Sequence, residues 1–349
     1  TLRIRGHLTA NRDILLHAGN AIVPHEVSVQ IDGTSQLTST GGGGRIIITG
    51  NNDVVFDGVV GPGSNHLATL ELNAVHGNLT IPKTSGRIES DALIVLKGST
   101  VDVQGVVHST LTTADPNDYE VTINATDTAI IEGDLQLTGS LLINGTNQIA
   151  VFNATVAVTQ PGQKVRFTGG NISFGKVSTD AHGQAVQLGS LVTSVDRIEF
   201  AATGLVEIGS GSVIATSGDN SVIDLHTGSL AVAGSLLAGA TVSGSNTTFS
   251  GVSADVFIDA KESVTRGGMG IVGGTSQTVG GTLQATGDIS VQVHGGTADV
   301  SFSMNGTSRL EAIAATNEPP GVSHNITITT DQNIQTSGAI DALVSGSLV

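Results

Sequence analysis

The chain has 349 residues, with 47 Gly, no Cys, no Trp and one Tyr, and its 30 Asp plus Glu outweigh 14 Lys plus Arg for a net charge of −16. The missing Cys excludes disulfides, thiolate-bound zinc and cysteine nucleophiles. The acidic balance repels phosphate and anionic lipid, which argues against nucleic acid as a partner, and no unbroken apolar run suits insertion into a membrane.

Hydrophobic residues are 38% of the chain and aromatic residues 3%. That is apolar enough to fold but poor in rings, so a compact core of large rings is not expected. Val, Ile, Leu and Ala mixed with Gly, Ser and Thr suit many short strands joined by tight turns. The chain starts at Thr1, without Met and already inside a strand-like pattern, Leu2–Gly6 (LRIRG). This reads as a piece processed or excised from something longer. Period-two alternation predicts strands at Arg45–Thr49, Leu93–Leu96, Val121–Asn124, Asp134–Leu137 and Asn325–Thr329, with Gly, Asn or Asp between most of them. Thr110–Glu120, which is polar and holds Pro116, and Asn317–His324, which holds Pro319 and Pro320, are predicted as loops leaving one edge. Ser229–Ser245 is apolar but broken by Ser and Gly, and reads as strands and turns. Only Ser308–Glu318 carries a helical pattern, stopped by Pro319. No domain boundary is visible, so residues 1–349 read as one elongated segment.

One phrase recurs: Asp or Asn, an aliphatic, any residue, then a further apolar residue. It appears at Asp13–Leu16, Asp53–Phe56, Asn78–Ile81, Asp255–Ile258, Asp288–Val291 and Asn325–Ile328. Neighbouring copies that stand 33, 37 or 40 residues apart then suggest two turns of a degenerate unit of about 20 residues. The physical reading is all-β: a parallel β-helix, or β-solenoid, of roughly 20 residues per coil with rows about 4.8 Å apart. Inward aliphatics stack from coil to coil, and small residues serve the corners. A β-sandwich array explains the composition too, but sandwiches carry more core aromatics and clearer hairpin signals.

His7–Ile22 (HLTANRDILLHAGNAI), Gly281–Gly296 (GTLQATGDISVQVHGG) and His324–Asp341 (HNITITTDQNIQTSGAID) resemble the repeats of filamentous haemagglutinin-type bacterial exoproteins. The resemblance is clear at both ends and diffuse between about residues 100 and 250. Asn-Pro, a signature of that family's secretion domain, does not occur here, so the likeness is to the repeat shaft. The resemblance implies a right-handed parallel β-helix, secretion to the bacterial cell surface, and a role in adhesion or in an extracellular fibre. It brings no binding residues with it.

Candidate sites are few. A β-helix enzyme acting on acidic polysaccharide needs clustered Asp, or a base beside a metal. The sequence has no Asp-Asp pair and no dense Lys, Arg and Asp cluster. Arg87-Ile88-Glu89 and Arg197-Ile198-Glu199 place opposite charges on one strand face, as external ladder pairs. Gly170–Lys176 (GNISFGK) approaches a phosphate loop, but Val177 stands where Ser or Thr should ligate magnesium, and a strand turn is expected. Gly41–Gly44 precede a strand and not a helix, so they form no phosphate cradle. Asp115, Asn117, Asp118 and Glu120 offer oxygens suited to calcium, yet lack the glycine and distal Glu of a calcium loop, so a solvated acidic turn is expected. The ten His are scattered, with no pair at ligand spacing.

Eight Asn-x-Ser/Thr sequons occur, at Asn78, Asn124, Asn144, Asn153, Asn171, Asn246, Asn305 and Asn325. They read as glycosylation acceptors or, more plainly, as strand-edge Asn followed by alternating Thr. Thr327 and Thr329 suggest an ice-binding face only if a Thr ladder spans many coils. The expectation is therefore a non-enzymatic structural or adhesive protein with no catalytic, cofactor or metal residues. Its expected partners are neighbouring segments or subunits, joined by end-to-end coil stacking, and a cell-surface or glycan receptor. The alternative is a β-helix polysaccharide-active enzyme or a glycan-binding module.

Overall fold

A computed structural model describes residues 1–19, 26–60, 67–111, 118–179, 184–266, 268–272, 275–294, 300–318, 322–331 and 333–342. The chain divides into two compact units, Thr1–Thr159 and Gln160–Val349. Every regular element among the described residues is a strand. The alternation of the sequence explains why. Successive residues point to opposite faces, and the buried ones are Val, Ile, Leu, Ala or Phe almost throughout.

In the first unit the strands form three parallel ladders. One pairs Leu2–Ile4 with Val27–Ile31, then Asp53–Phe56, then Leu79–Ile81. The second runs from His7–Ala10 through Gln36–Ser39, Val59–Val60, Arg87–Ser90, Val106–Ser109 and Asp134–Leu137 to Thr155–Val158. The third joins Ile14–Ala18, Arg45–Gly50 and Thr69–Ala74. The chain visits the three in the same cyclic order on every pass. From Leu93–Val103 onward a single long strand serves the third ladder with its first half and the first ladder with its second, with an irregularity between Gly98 and Thr100.

The second unit has its own three ladders. Lys164–Phe174 leads to Arg197–Ala202 and Leu205–Ile208, then to Val222–Val232 and Asp255–Arg266. Two further rows follow, through Ile289–Val293 and Val300–Met304 to Ile326–Thr330 and Asn333–Thr336. The last ladder runs from Leu191–Ser194 through Val213–Thr216, Ser235–Ala238, Thr282–Ala285 and Arg309–Ala312 to Ala339–Ala342. Three antiparallel hairpins interrupt the cycle: Lys176–Thr179 with Ala185–Leu188, Ala240–Ser243 with Asn246–Phe249, and Gly268–Val272 with Thr275–Val279. Phe167, Phe174 and Phe200 pack together in this unit, with Phe167 and Phe200 stacked at 5.3 Å and Phe174 edge-on to both. The core is aliphatic elsewhere, apart from single buried rings such as Phe56 and Phe302.

Three expectations change. The helix predicted over Ser308–Glu318 is replaced by the strand Arg309–Ala312, paired in parallel on both sides. Ladder pairing of Leu310 and the burial of Ala312 override the local helical pattern. The spacing of about 20 residues per row holds at Glu120–Ser140 (offset 20) and Asn78–Thr100 (offset 22). It widens to 32 at Asp13–Arg45, 33 at Asp255–Asp288 and 37 at Asp288–Asn325. The 33- and 37-residue spacings between phrases are thus one row each, because hairpins and turns absorb the extra chain while strand register is kept. The excursions also fall elsewhere: the three hairpins were not foreseen. Part of each expected loop, 112–117 and 319–321, lies outside the described residues.

The recurring Asp or Asn has a structural task. Its side-chain oxygen accepts the backbone N–H of the matching residue one row on. Asn78 N–H donates to Asp53 Oδ1 at 2.8 Å, and Thr100 N–H to Asn78 Oδ1 at 3.2 Å. Asp288 N–H donates to Asp255 Oδ1 at 2.7 Å, and Asn325 N–H to Asp288 Oδ1 at 2.8 Å. These N–H groups lie at strand starts or, for Thr100, at the irregularity within a long strand, where the ladder supplies no carbonyl.

A second device is a corner column of small residues: Gly6, Ser35, Gly58, Gly86, Gly105 and Gly133 in the first unit, and Ser190, Ser212, Gly234, Gly281 and Ser308 in the second. Each carbonyl accepts the N–H that opens the next row's strand in the ladder beyond. A methyl group on Gly105 would overlap the Gly86 carbonyl, and one on Gly133 the Gly105 carbonyl. Gly105→Ala is therefore expected to cost about 1–3 kcal/mol, read as a lowered urea midpoint. Gly42→Ala, where open space surrounds the added carbon, is expected to leave the midpoint unlowered.

Candidate functional site

Alternation places one set of side chains on the solvent face of the second unit. Register aligns Arg166, Glu199, Asp224, Phe257 and Ser290 in one outward column, and Thr168, Ala201, His226, Asp259 and Gln292 in the next. Charged side chains on and beside these columns form ion pairs. Glu199 meets Lys164 at 3.8 Å, Arg166 at 3.6 Å and Arg197 at 2.7 Å, and Arg197 meets Asp224 at 2.7 Å. His226 lies between two carboxylates, with Nε2 3.2 Å from Asp224 and Nδ1 3.3 Å from Asp259. His294 Nε2 stands 3.2 Å from Asp259 on the far side. Each exposed pair is worth about 0–1 kcal/mol, so the ladder orders side chains more than it stabilises the fold. Phe257 sits within this polar face with 41% of its surface exposed.

The two His flank one carboxylate and do not converge on a point. No group of three or more His, Cys, Asp or Glu among the described residues has the arrangement of a metal site. A cleft of about 130 Å³ lies beside the first hairpin, lined by Lys176, Val177, Gln187, Glu207, Ile208 and Ser210 among others. It mixes one cation, one carboxylate and small apolar groups, and shows no acid and base pair aimed at a common point.

The residues singled out from sequence are placed as follows. Arg87 pairs with Glu89, and Arg197 with Glu199, as external ladder pairs. Gly170–Phe174 lies inside the strand Lys164–Phe174; Gly175 turns the chain at φ +83°, and Lys176 opens a hairpin strand. Gly41–Gly44 precede the strand Arg45–Gly50. Of the acidic turn, Asp115 and Asn117 lie outside the described residues. Asp118 is exposed, and Glu120 is buried with Oε2 accepting Ser140 N–H at 2.5 Å.

Five of the sequon Asn make row-to-row contacts: Asn78 and Asn171 accept backbone N–H groups, Asn144 donates its amide to Asn124, and Asn325 binds Asp288. Asn305 Oδ1 accepts from Thr307 and Ser308 in a turn. Asn153 and Asn246 are exposed. Thr327 and Thr329 are preceded on their columns by Ser290 and Gln292, not by a Thr ladder.

Sequence reasoning found the Arg197–Glu199 pair but missed Asp224, His226, Phe257, Asp259 and His294. Asp224-x-His226 and Phe257-x-Asp259 each share a strand face, and that spacing was the available signal. Their union across rows depends on offsets of 33 residues. No protein-family model, curated protein or solved structure matches this chain. No helix among the described residues is long and apolar enough to cross a membrane.

Among the described residues, four carboxylates have a shifted pKa. Hydrogen bonds from Arg45 lower the pKa of Asp13, and those from Arg3 and Arg5 lower that of Asp32. Burial raises Asp255, with Asp288 N–H opposing and the Asp288 charge adding to it. Burial also raises Asp102, whose Oδ2 accepts from Gln104 at 2.7 Å while Oδ1 is buried without a hydrogen bond. A raised folded-state pKa means that ionisation costs the folded state. The stability present below the unfolded value of 3.8 is lost as pH rises through the folded value. Asp102→Asn is therefore expected to raise the urea midpoint at pH 7, with the gain shrinking towards pH 3.

Proposed function

We propose that this chain is a non-enzymatic segment of a β-solenoid shaft, part of a secreted fibre or giant adhesin at a bacterial cell surface. The observation that carries this reading is the cyclic visit to three parallel, in-register ladders, repeated while the intervening chain varies from 20 to 37 residues. Such an arrangement adds rows without limit and grows a rod by backbone hydrogen bonding along its axis. The degenerate phrase resembles that of filamentous haemagglutinin-type exoprotein shafts, and this resemblance implies a right-handed winding. Conserving backbone pairing while side chains drift suits a mechanical element, whose stiffness comes from the ladders and not from one site. Its partners are neighbouring segments or subunits stacked row on row, because a strand edge offers unpaired N–H and C=O groups to the next. Its surface makes the contact with a cell or glycan receptor.

Negative-stain electron microscopy of the purified chain, with X-ray diffraction from oriented films, tests this reading. The expected result is rods with a spacing near 4.8 Å along their axis. Globular particles without an axial 4.8 Å reflection would remove the shaft reading.

A further inference from the structure

Phe257 is the only aromatic side chain among the large exposed hydrophobics of the described residues. Its register partners on the neighbouring rows are Asp224 and Ser290. Asp255 and Asp259 flank it on its own strand. His226 and Gln292, the partners of Asp259, stand diagonally from it. The ring is thus an apolar platform held on a strand and surrounded by hydrogen-bonding groups.

We propose that this face binds a polysaccharide of neutral sugars. A pyranose ring has an apolar face of C–H bonds that packs on an aromatic ring, and a rim of hydroxyls that seeks acceptors and donors. Here the carboxylates of Asp224 and Asp259 accept hydroxyl protons, which makes charge-assisted hydrogen bonds. Ser290 and Gln292 both donate and accept. Seating on strands fixes these groups without ordering a loop.

Charge selects the class of sugar. Asp224, Asp255, Asp259 and Asp288 cluster around the ring. Arg197, two rows before the ring, is engaged by Glu199 and Asp224. A uronate or a sulfated sugar would place an anion among these carboxylates and be repelled. This inference rests on the adhesive part of the proposed function, and its failure would leave the shaft reading and its axial reflection untouched.

Affinity electrophoresis of the full chain tests it, through gels holding β-glucan, mannan, galactan or polygalacturonate. At least one neutral polysaccharide is expected to retard the chain, and polygalacturonate is not. Phe257→Ala is expected to weaken that retardation about tenfold, while Phe257→Trp retains it. Circular dichroism establishes that each variant is folded. Gln292→Ala, at an exposed position, provides an independent arm and is expected to weaken retardation as well. The inference is overturned if no neutral gel retards the chain, if polygalacturonate retards it most, or if folded Phe257→Ala and Gln292→Ala both migrate as the wild type.

Discussion

The constraint on which everything else depends is backbone hydrogen bonding between successive rows. Each strand's N–H groups must meet carbonyls of the rows on either side, as Val54 donates forward to Asn78 and Asp57 back to Ile31, so strand register is fixed while the chain between strands is free to vary. Two side-chain devices keep this pairing intact where ladders begin and turn. The Asp or Asn of the recurring phrase accepts the N–H at a strand start, as Asp53 does for Asn78. The corner column from Gly58 to Gly133 keeps the backbone close enough for Val106 and Asp134 to donate across the turn. A backbone so paired needs little from any single side chain, which explains a core of interchangeable Ile, Val and Leu.

The same geometry determines what the surface can do. Inward positions are occupied by stacking, so chemistry is confined to outward columns in which residues from distant parts of the chain become neighbours. Glu199, Asp224 and Asp259 share one ladder of charges because their strands are adjacent rows. Sites of this kind are shallow and extended, suited to gripping a long partner more than to enclosing a small one. The ion pairs also offset part of the acidic excess, since Arg166, Arg197 and Lys164 meet carboxylates there.

Strand identity was legible in the sequence because burial alternates with period two. Arg45–Thr49 and Asp134–Leu137 lie where alternation placed them. Row length was not legible. The phrase at Asp255 and its copy at Asp288 are one row apart, and nothing in their spacing tells one row of 33 residues from two shorter ones. The helix expected at Ser308–Glu318 failed for a related reason. Leu310 is held by partners at Leu283 and Ile340, contacts that a local pattern does not contain. The candidate surface at Phe257 was hidden likewise, since its neighbours Asp224 and Ser290 are each 33 residues away along the chain.

The absence of Cys makes the central claim open to a direct covalent measurement. Ser290 and Thr327 are register partners on outward columns. Parallel neighbours stand close enough for a disulfide, which needs Cα atoms about 4.4–6.8 Å apart. The pair Ser290→Cys and Thr327→Cys should close under mild oxidation of the folded chain, read as faster migration on a non-reducing gel. Ser290→Cys with Thr329→Cys, displaced by two residues, should close far less. Equal closure of both pairs, or closure of neither, would contradict in-register parallel rows.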